Sequence, residues 1–268
     1  MNRNRFGELE IIVRSPAGEA NPTPLLFVHG AYTAAWCWEE HFLPWFAKAG
    51  YESYAVSLSG HGKSRDRNML DGYSIDDYVN DLGEAVQALP APPVLIGHSM
   101  GGFVVQKYLE QHDVPGVVLM ASVPPQGLWS SALGLMFKKP TLLQDLNRML
   151  CGVTPSVASV LEALFSQPID DARLLEFARK SQPESHRAIW DMTLFNLPQV
   201  SRMVEVPMLV LGAGEDHLIP PTLVHRTAQT YGVSEQIFEG MGHAMMLEQD
   251  WEAVAVRIEH WLRQEITA

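Results

Sequence analysis

Val94-Leu95-Ile96-Gly97-His98-Ser99-Met100-Gly101 joins a short apolar run to a helix-like stretch from Gly102 to Gln111. The run has the length of a strand buried on both faces, which makes Gly-x-Ser-x-Gly the turn between that strand and a helix. Such a turn forces its serine into a strained backbone conformation, and the flanking glycines relieve the crowding because they lack a Cβ. The hydroxyl is lifted above the sheet edge, where a base and a substrate carbonyl can both reach it. The five letters alone also fit a glycine-rich turn with an incidental serine. The order of elements around them discriminates.

Working outward, similar apolar runs occur at Leu25 to Val28, Val117 to Met120 and Met208 to Leu211, each bounded by Gly, Pro or polar residues. Between them lie helix-period faces: Trp38, Phe42 and Trp45; Ile75, Val79, Leu82 and Val86; Trp251, Val254, Ile258 and Trp261. Ser74 and Asp77 are placed to cap the second of these. Strands alternating with helices of this length predict an α/β fold with right-handed crossovers and a mostly parallel central sheet flanked by helices. Glu8 to Val13 is expected to form an antiparallel edge. The alternation breaks between about Pro124 and Val206, where Leu128, Trp129, Leu133, Leu135, Met136 and Phe137 come in quick succession. Helix-like segments with Leu161, Leu164, Phe165, Leu174, Leu175 and Phe177 follow. The predicted organisation is therefore a core of residues 1–123 and 206–268 interrupted by a helical cap at 124–205, since long insertions are usually functional loops or lids.

The 268 residues, 47% hydrophobic and 19% charged, suffice for one α/β domain with an elaboration. A formal net charge of -12 argues against nucleic acid as a partner, because phosphate binding requires clustered Lys and Arg. Two cysteines, Cys37 and Cys151, suit a reducing compartment and supply neither a disulfide framework nor a metal-ligand spacing. Met1 to Val13 lacks the hydrophobic segment of a signal peptide, and no uncharged apolar stretch approaches a membrane span. A cytoplasmic protein with no metal and no organic cofactor is expected.

A serine hydroxyl is a poor nucleophile at neutral pH and requires a base. Of ten histidines, His243 stands out, in the glycine-flanked loop Gly240-Met241-Gly242-His243-Ala244 between an apparent strand, Gln236 to Glu239, and the last amphipathic helix. The imidazole in turn requires a carboxylate to fix its tautomer. Asp216 follows the strand Met208 to Leu211, at the carboxyl end where open α/β sheets place their sites. Glu215 competes with it on spacing. Asp76 and Asp77 read as helix-start charges, and Glu39, Glu40 and His41 lack the spacing of a zinc motif.

The order Ser99, Asp216, His243 is that of α/β-hydrolases, not of either major serine protease class. The chain resembles the α/β-hydrolase superfamily over nearly its whole length, in particular its cap-bearing bacterial serine esterase and lysophospholipase-like branch. The resemblance rests on Gly97 to Gly101, the His29-Gly30 pair, the turn Ser59-Gly60-His61-Gly62-Lys63-Ser64, and Gly242-His243 with Glu248 in the following helix. Ser57 departs from it, standing where many relatives carry an aspartate. The resemblance implies that the backbone N–H groups of Ala31 and Met100 form an oxyanion hole, with His29 bracing the oxyanion loop and His98 packed behind the elbow. It further implies a serine hydrolase cleaving a small-molecule carboxylic ester with an apolar acyl or alkyl part. An apolar cleft lined by Trp36, Leu128, Trp129 and Phe137 is expected. The same machinery serves thioesterases, acyltransferases, cofactor-free perhydrolases, carbon–carbon bond hydrolases, hydroxynitrile lyases and slow-turnover ligand receptors, and fold alone does not choose among them. Oligomeric state and acyl chain length are left open by the sequence.

Overall fold

The apolar runs become neighbouring strands of one seven-stranded sheet, ordered β1-β3-β2-β4-β5-β6-β7. In this computed structural model, which describes residues 8–129 and 163–266, the strands are β1 (Ile11–Arg14), β2 (Leu25–Val28), β3 (Ser53–Val56), β4 (Val94–His98), β5 (Val117–Met120), β6 (Met208–Ala213) and β7 (Glu235–Phe238). Only β1 runs antiparallel, pairing Ile11 with Val56 at one edge, as the sequence led us to expect. Strand β3 carries no continuous apolar signal. Its Ser53-Tyr54-Ala55-Val56 is nonetheless fully buried, with the Ser53 hydroxyl donating to the Tyr51 carbonyl.

Residue alternation along the strands feeds two apolar layers. Leu26, Val28, Leu95, Val117 and Leu119 face one side with α3 (Ile75–Ala88), α4 (Met100–Tyr108) and α7 (Pro221–Tyr231). Leu25, Phe27, Ile96, Val118 and Met120 face the other, against α1 (Trp36–Glu39), α2 (Phe42–Lys48) and α8 (Trp251–Glu265). The periodic face of Trp38, Phe42 and Trp45 is thus two helices, broken at Glu40 and His41. The Ser74 hydroxyl accepts from the Asp77 N–H while the Asp77 carboxylate accepts from the Ser74 N–H, a capping box that starts α3.

Residues 163–206 contribute α5 (Asp171–Lys180), α6 (His186–Trp190), a π-turn at Asp191–Phe195 and a 3-10 turn at Val200–Arg202. No strand occurs among the described residues of this stretch. Asn196 ties it to the core, accepting from Lys107 on α4 and donating to Asp76 on α3. After β2 the chain turns outward to β3, whereas β4 returns on the other side of β2. The carboxyl ends of β2 and β4 therefore border the crevice at which such sheets place their sites.

Candidate active site

Ser99 occupies the bend between β4 and α4 with φ +52° and ψ −117°, a region unfavourable to any residue with a side chain. Two glycines permit it. A Cβ on Gly101 would lie 2.3 Å from the Val28 carbonyl oxygen, and one on Gly97 would lie 2.6 Å from the Gly101 oxygen. Backbone bonds hold the bend from both sides: Ser99 N–H donates to Met120 O, and Ser99 O accepts from the N–H groups of Phe103 and Val123. The serine is half-buried, between a fully buried strand and a fully buried helix.

The loop after β7 brings His243 to this hydroxyl, with Nε2 3.0 Å from Ser99 Oγ. Its other nitrogen, Nδ1, lies 2.6 Å from Asp216 Oδ2. The second Asp216 oxygen accepts from the N–H groups of Leu218 and Ile219, both at 2.8 Å, so the carboxylate is fixed from behind. Asp216 and His243 are both buried. Glu215 is exposed, with its N–H donating to Met241 O, and has no part in this chain of bonds. Because Asp216 accepts at Nδ1, the proton of the neutral imidazole belongs there, leaving the Nε2 lone pair directed at the serine.

The loop after β2 lies against the same serine: a Cβ on Gly30 would fall 3.1 Å from Ser99 Cβ and 2.9 Å from His98 Nδ1. Gly30 O accepts from Thr33 Oγ1 and from His29 Nδ1. In a trans peptide the N–H points opposite the carbonyl, so these two bonds orient the Ala31 N–H. Met100 is the first residue of α4 and its N–H has no acceptor within the helix. His29 Nε2 accepts from Leu58 N–H, and burial together with nearby His61 pushes its pKa down to about 3, so it stays neutral. His98 donates from Nε2 to the His243 carbonyl and packs 4.7 Å, ring to ring, from the His243 imidazole. Burial, reinforced by His243, holds His98 well below the usual histidine range, which keeps a positive charge on this ring away from the His243 imidazole.

Trp36 begins α1, stacked 5.5 Å from Phe177 of α5 with Lys180 over its ring; its Nε1 is buried and has no partner among the described residues. Leu128 packs against the core with its N–H on Met192 O, Trp129 is 57% exposed, and Phe137 lies outside the described residues. Cys37 is buried, and burial pushes its thiol up to about 12, while Cys151 lies outside the described residues. Among the described residues no group of His, Cys, Asp or Glu has the arrangement of a metal site, and no helix is long and apolar enough to cross a membrane.

The partners of two acids emerge only in three dimensions. Glu248 precedes α8 instead of lying within it, because its carboxylate is bound by three backbone N–H groups, those of Gly242, Ser166 and Gln167. It thereby ties the His243 loop to the segment leading into α5. Glu10, before β1, accepts from Ser57 Oγ and Lys63 N–H, while the same Ser57 hydroxyl accepts from Ala35 N–H. A carboxylate from the segment leading into β1 thus reaches Ser57 at the end of β3. Adjacency in sequence gives no sign of either link.

The chain belongs to the alpha/beta hydrolase family, whose model matches residues 25–257. Phospholipase YtpA of Bacillus subtilis is 23% identical to it over 86% of this chain and 91% of its own length. The bifunctional esterase/perhydrolase DCH of Acinetobacter calcoaceticus is 24% identical over 76% of this chain and 78% of its own. The crystal structure of bromoperoxidase from Bacillus anthracis shares the fold, with a TM-score of 0.75 at 19% identity and 95% of each chain covered.

Proposed function

We propose that this protein is a serine hydrolase that cleaves carboxylic esters through an acyl-enzyme. Ser99 attacks the carbonyl, His243 takes the hydroxyl proton and returns it to the leaving alcohol, and Asp216 stabilises the imidazolium. The N–H groups of Ala31 and Met100 stabilise the tetrahedral oxyanion, and water activated by the same histidine releases the acid. The observation that carries this reading is the continuous chain Ser99 Oγ, His243 Nε2, His243 Nδ1, Asp216 Oδ2, with links of 3.0 and 2.6 Å at a strained elbow. Relatives described as a phospholipase and as an esterase/perhydrolase support ester chemistry. We assign residues 124–205 as a cap over the site, and Trp36, Leu128, Trp129 and Phe137 as the surface for the apolar part of a small-molecule ester. The apolar composition of that stretch supports this.

The test is covalent labelling by a fluorophosphonate, with the modified residue mapped by peptide mass spectrometry, beside turnover of acetyl and longer acyl p-nitrophenyl esters. Labelling confined to Ser99, lost in Ser99→Ala together with turnover, is expected. Polar substitution of Leu128 or Trp129 is expected to lower turnover of long acyl esters more than that of acetate. An unlabelled Ser99, or undiminished hydrolysis by Ser99→Ala, overturns the proposal.

A further inference from the structure

The segment joining α5 to α6 crosses behind the oxyanion loop and is fastened there by one backbone hydrogen bond and by two side chains that the chemistry above does not use. The backbone N–H of Gln182 donates to Tyr32 O at 3.0 Å, one residue beyond Ala31. Tyr32 has φ +65°, a left-handed conformation that a non-glycine residue holds only when its surroundings enforce it. The Gln182 amide reaches the neighbouring turn as well, donating to Gly60 O at 3.0 Å and accepting from Gly62 N–H at 2.9 Å. Two residues on, Glu184 is fully enclosed. One carboxylate oxygen lies 2.9 Å from His61 Nε2; the other accepts from the Tyr78 hydroxyl at 2.7 Å and from Ser185 N–H at 2.8 Å. His61 Nδ1 in turn faces Ser59 O at 3.0 Å, so both of its nitrogens face acceptors and the ring is an imidazolium paired with the carboxylate. The His61 ring packs 5.0 Å from that of His29, whose Nδ1 holds Gly30 O.

A buried ion pair of this kind is a weak source of stability, since desolvation offsets most of the attraction, and its better-attested use is to specify one geometry. Here the geometry specified is that of the loop presenting the Ala31 N–H. We propose that Gln182 and Glu184 are positioning residues for the oxyanion loop: Gln182 through its side-chain amide, which clamps the Gly60 turn and so holds its own backbone N–H on Tyr32 O, and Glu184 through the His61 and His29 rings. The inference rests on the acyl-enzyme reading of Ser99. It makes the connection after α5 a support for the chemistry and not only a tether for the cap.

The experiment uses the full chain with Glu184→Ala, Glu184→Gln and Gln182→Ala, active sites being counted by exhaustive fluorophosphonate titration. Per titrated site, Glu184→Ala is expected to lower kcat about ten- to a hundredfold with little change in KM, because a misplaced oxyanion donor costs transition-state stabilisation and not ground-state binding. Glu184→Gln retains acceptors for Tyr78 and Ser185 and offers a donor to a neutral His61, so it is expected to recover most of the loss. A merely structural role would reduce the number of titratable sites and leave kcat per site intact. If Glu184→Ala does not fold, Gln182→Ala decides: kcat per site about fivefold or more below wild type supports the inference, and an unchanged kcat overturns it. Unchanged kcat per site in both alanine variants likewise overturns it while Ser99 chemistry stands. A wild-type protein that takes no label at Ser99 removes the acyl-enzyme reading, and this inference with it.

Discussion

Asp216 offers His243 only one oxygen, because Leu218 and Ile219 already occupy the other. This division makes the outcome of Asp216→Asn specific. The Asn carbonyl would take the two backbone donors, turning its NH2 toward His243 Nδ1 and driving the imidazole proton to Nε2. The histidine would then donate to Ser99 and could not accept from it. With little change in shape, kcat is expected to fall about 10⁴-fold, the size of the corresponding loss in serine proteases. Fluorophosphonate labelling is expected to slow in parallel while the urea unfolding midpoint stays near wild type; a fast-labelling variant would show that Asp216 does not set the tautomer. Ser99, His243 and the loop that carries Asp216 were legible in the sequence as candidates because each sits beside small or turn-forming residues at a strand end. The choice of Asp216 over Glu215 was not, since one step along a loop decides which side chain turns inward.

At the scale of elements, the elbow depends on the carboxyl end of β2 passing directly under the start of α4. Gly101→Ala places a methyl 2.3 Å from Val28 O and 2.5 Å from His29 O, both backbone atoms unable to rotate away. The helix must shift relative to the sheet, moving Ser99 and the Met100 N–H together. A loss of about 1–3 kcal/mol, typical of overpacking in a tight interior, is expected in chemical denaturation, with labelling of Ser99 slowed in the folded fraction. Wild-type stability and labelling in this variant would mean that the contact is not as tight as the geometry implies. Among the elements, β2, β4, β5 and β6 were readable as apolar runs and α3 from its period and its cap. Strand β3 was not, because Ser53 and Ala55 give no pattern until β1 and β2 enclose them. The break between α1 and α2 was likewise invisible, its His41 being held by stacking on Trp251 and by Arg173 from α5.

Across the whole molecule, the stretch between β5 and β6 is joined to the core at points on either side of Ser99. Glu248 fastens residues 166 and 167 to the His243 loop, and Gln182 and Glu184 fasten the connection between α5 and α6 to the Gly60 turn. Burial disfavours charge on His61, yet Glu184 outweighs it and holds the imidazole above its ordinary 6.5; burial likewise raises Glu184, and His61 with its other donors outweighs that, leaving the carboxyl below its ordinary 4.5. The raised histidine contributes stability that is complete below 6.5 and lost as pH rises through its folded value. The depressed carboxyl contributes stability present above 4.5 and lost as pH falls through its folded value. The stability difference between wild type and Glu184→Gln is therefore expected to be greatest between 4.5 and 6.5 and to shrink on the alkaline side. Urea unfolding at about pH 5.5 and about pH 9 measures it, and a difference that grows with pH contradicts an imidazolium at position 61.

The sequence by itself determined the parallel α/β sheet, the serine elbow and the candidate base, because each depends on local rules: apolar period, turn glycines, and a histidine beside a strand end. Only the tertiary structure decided which acid faces His243, which carboxylate serves Ser57, and that Glu184, lying 123 residues from His61, pairs with it. These are pairings between segments remote in the chain. A buried charge chooses its partner by distance and desolvation, and neither quantity exists until the sheet has brought the segments together.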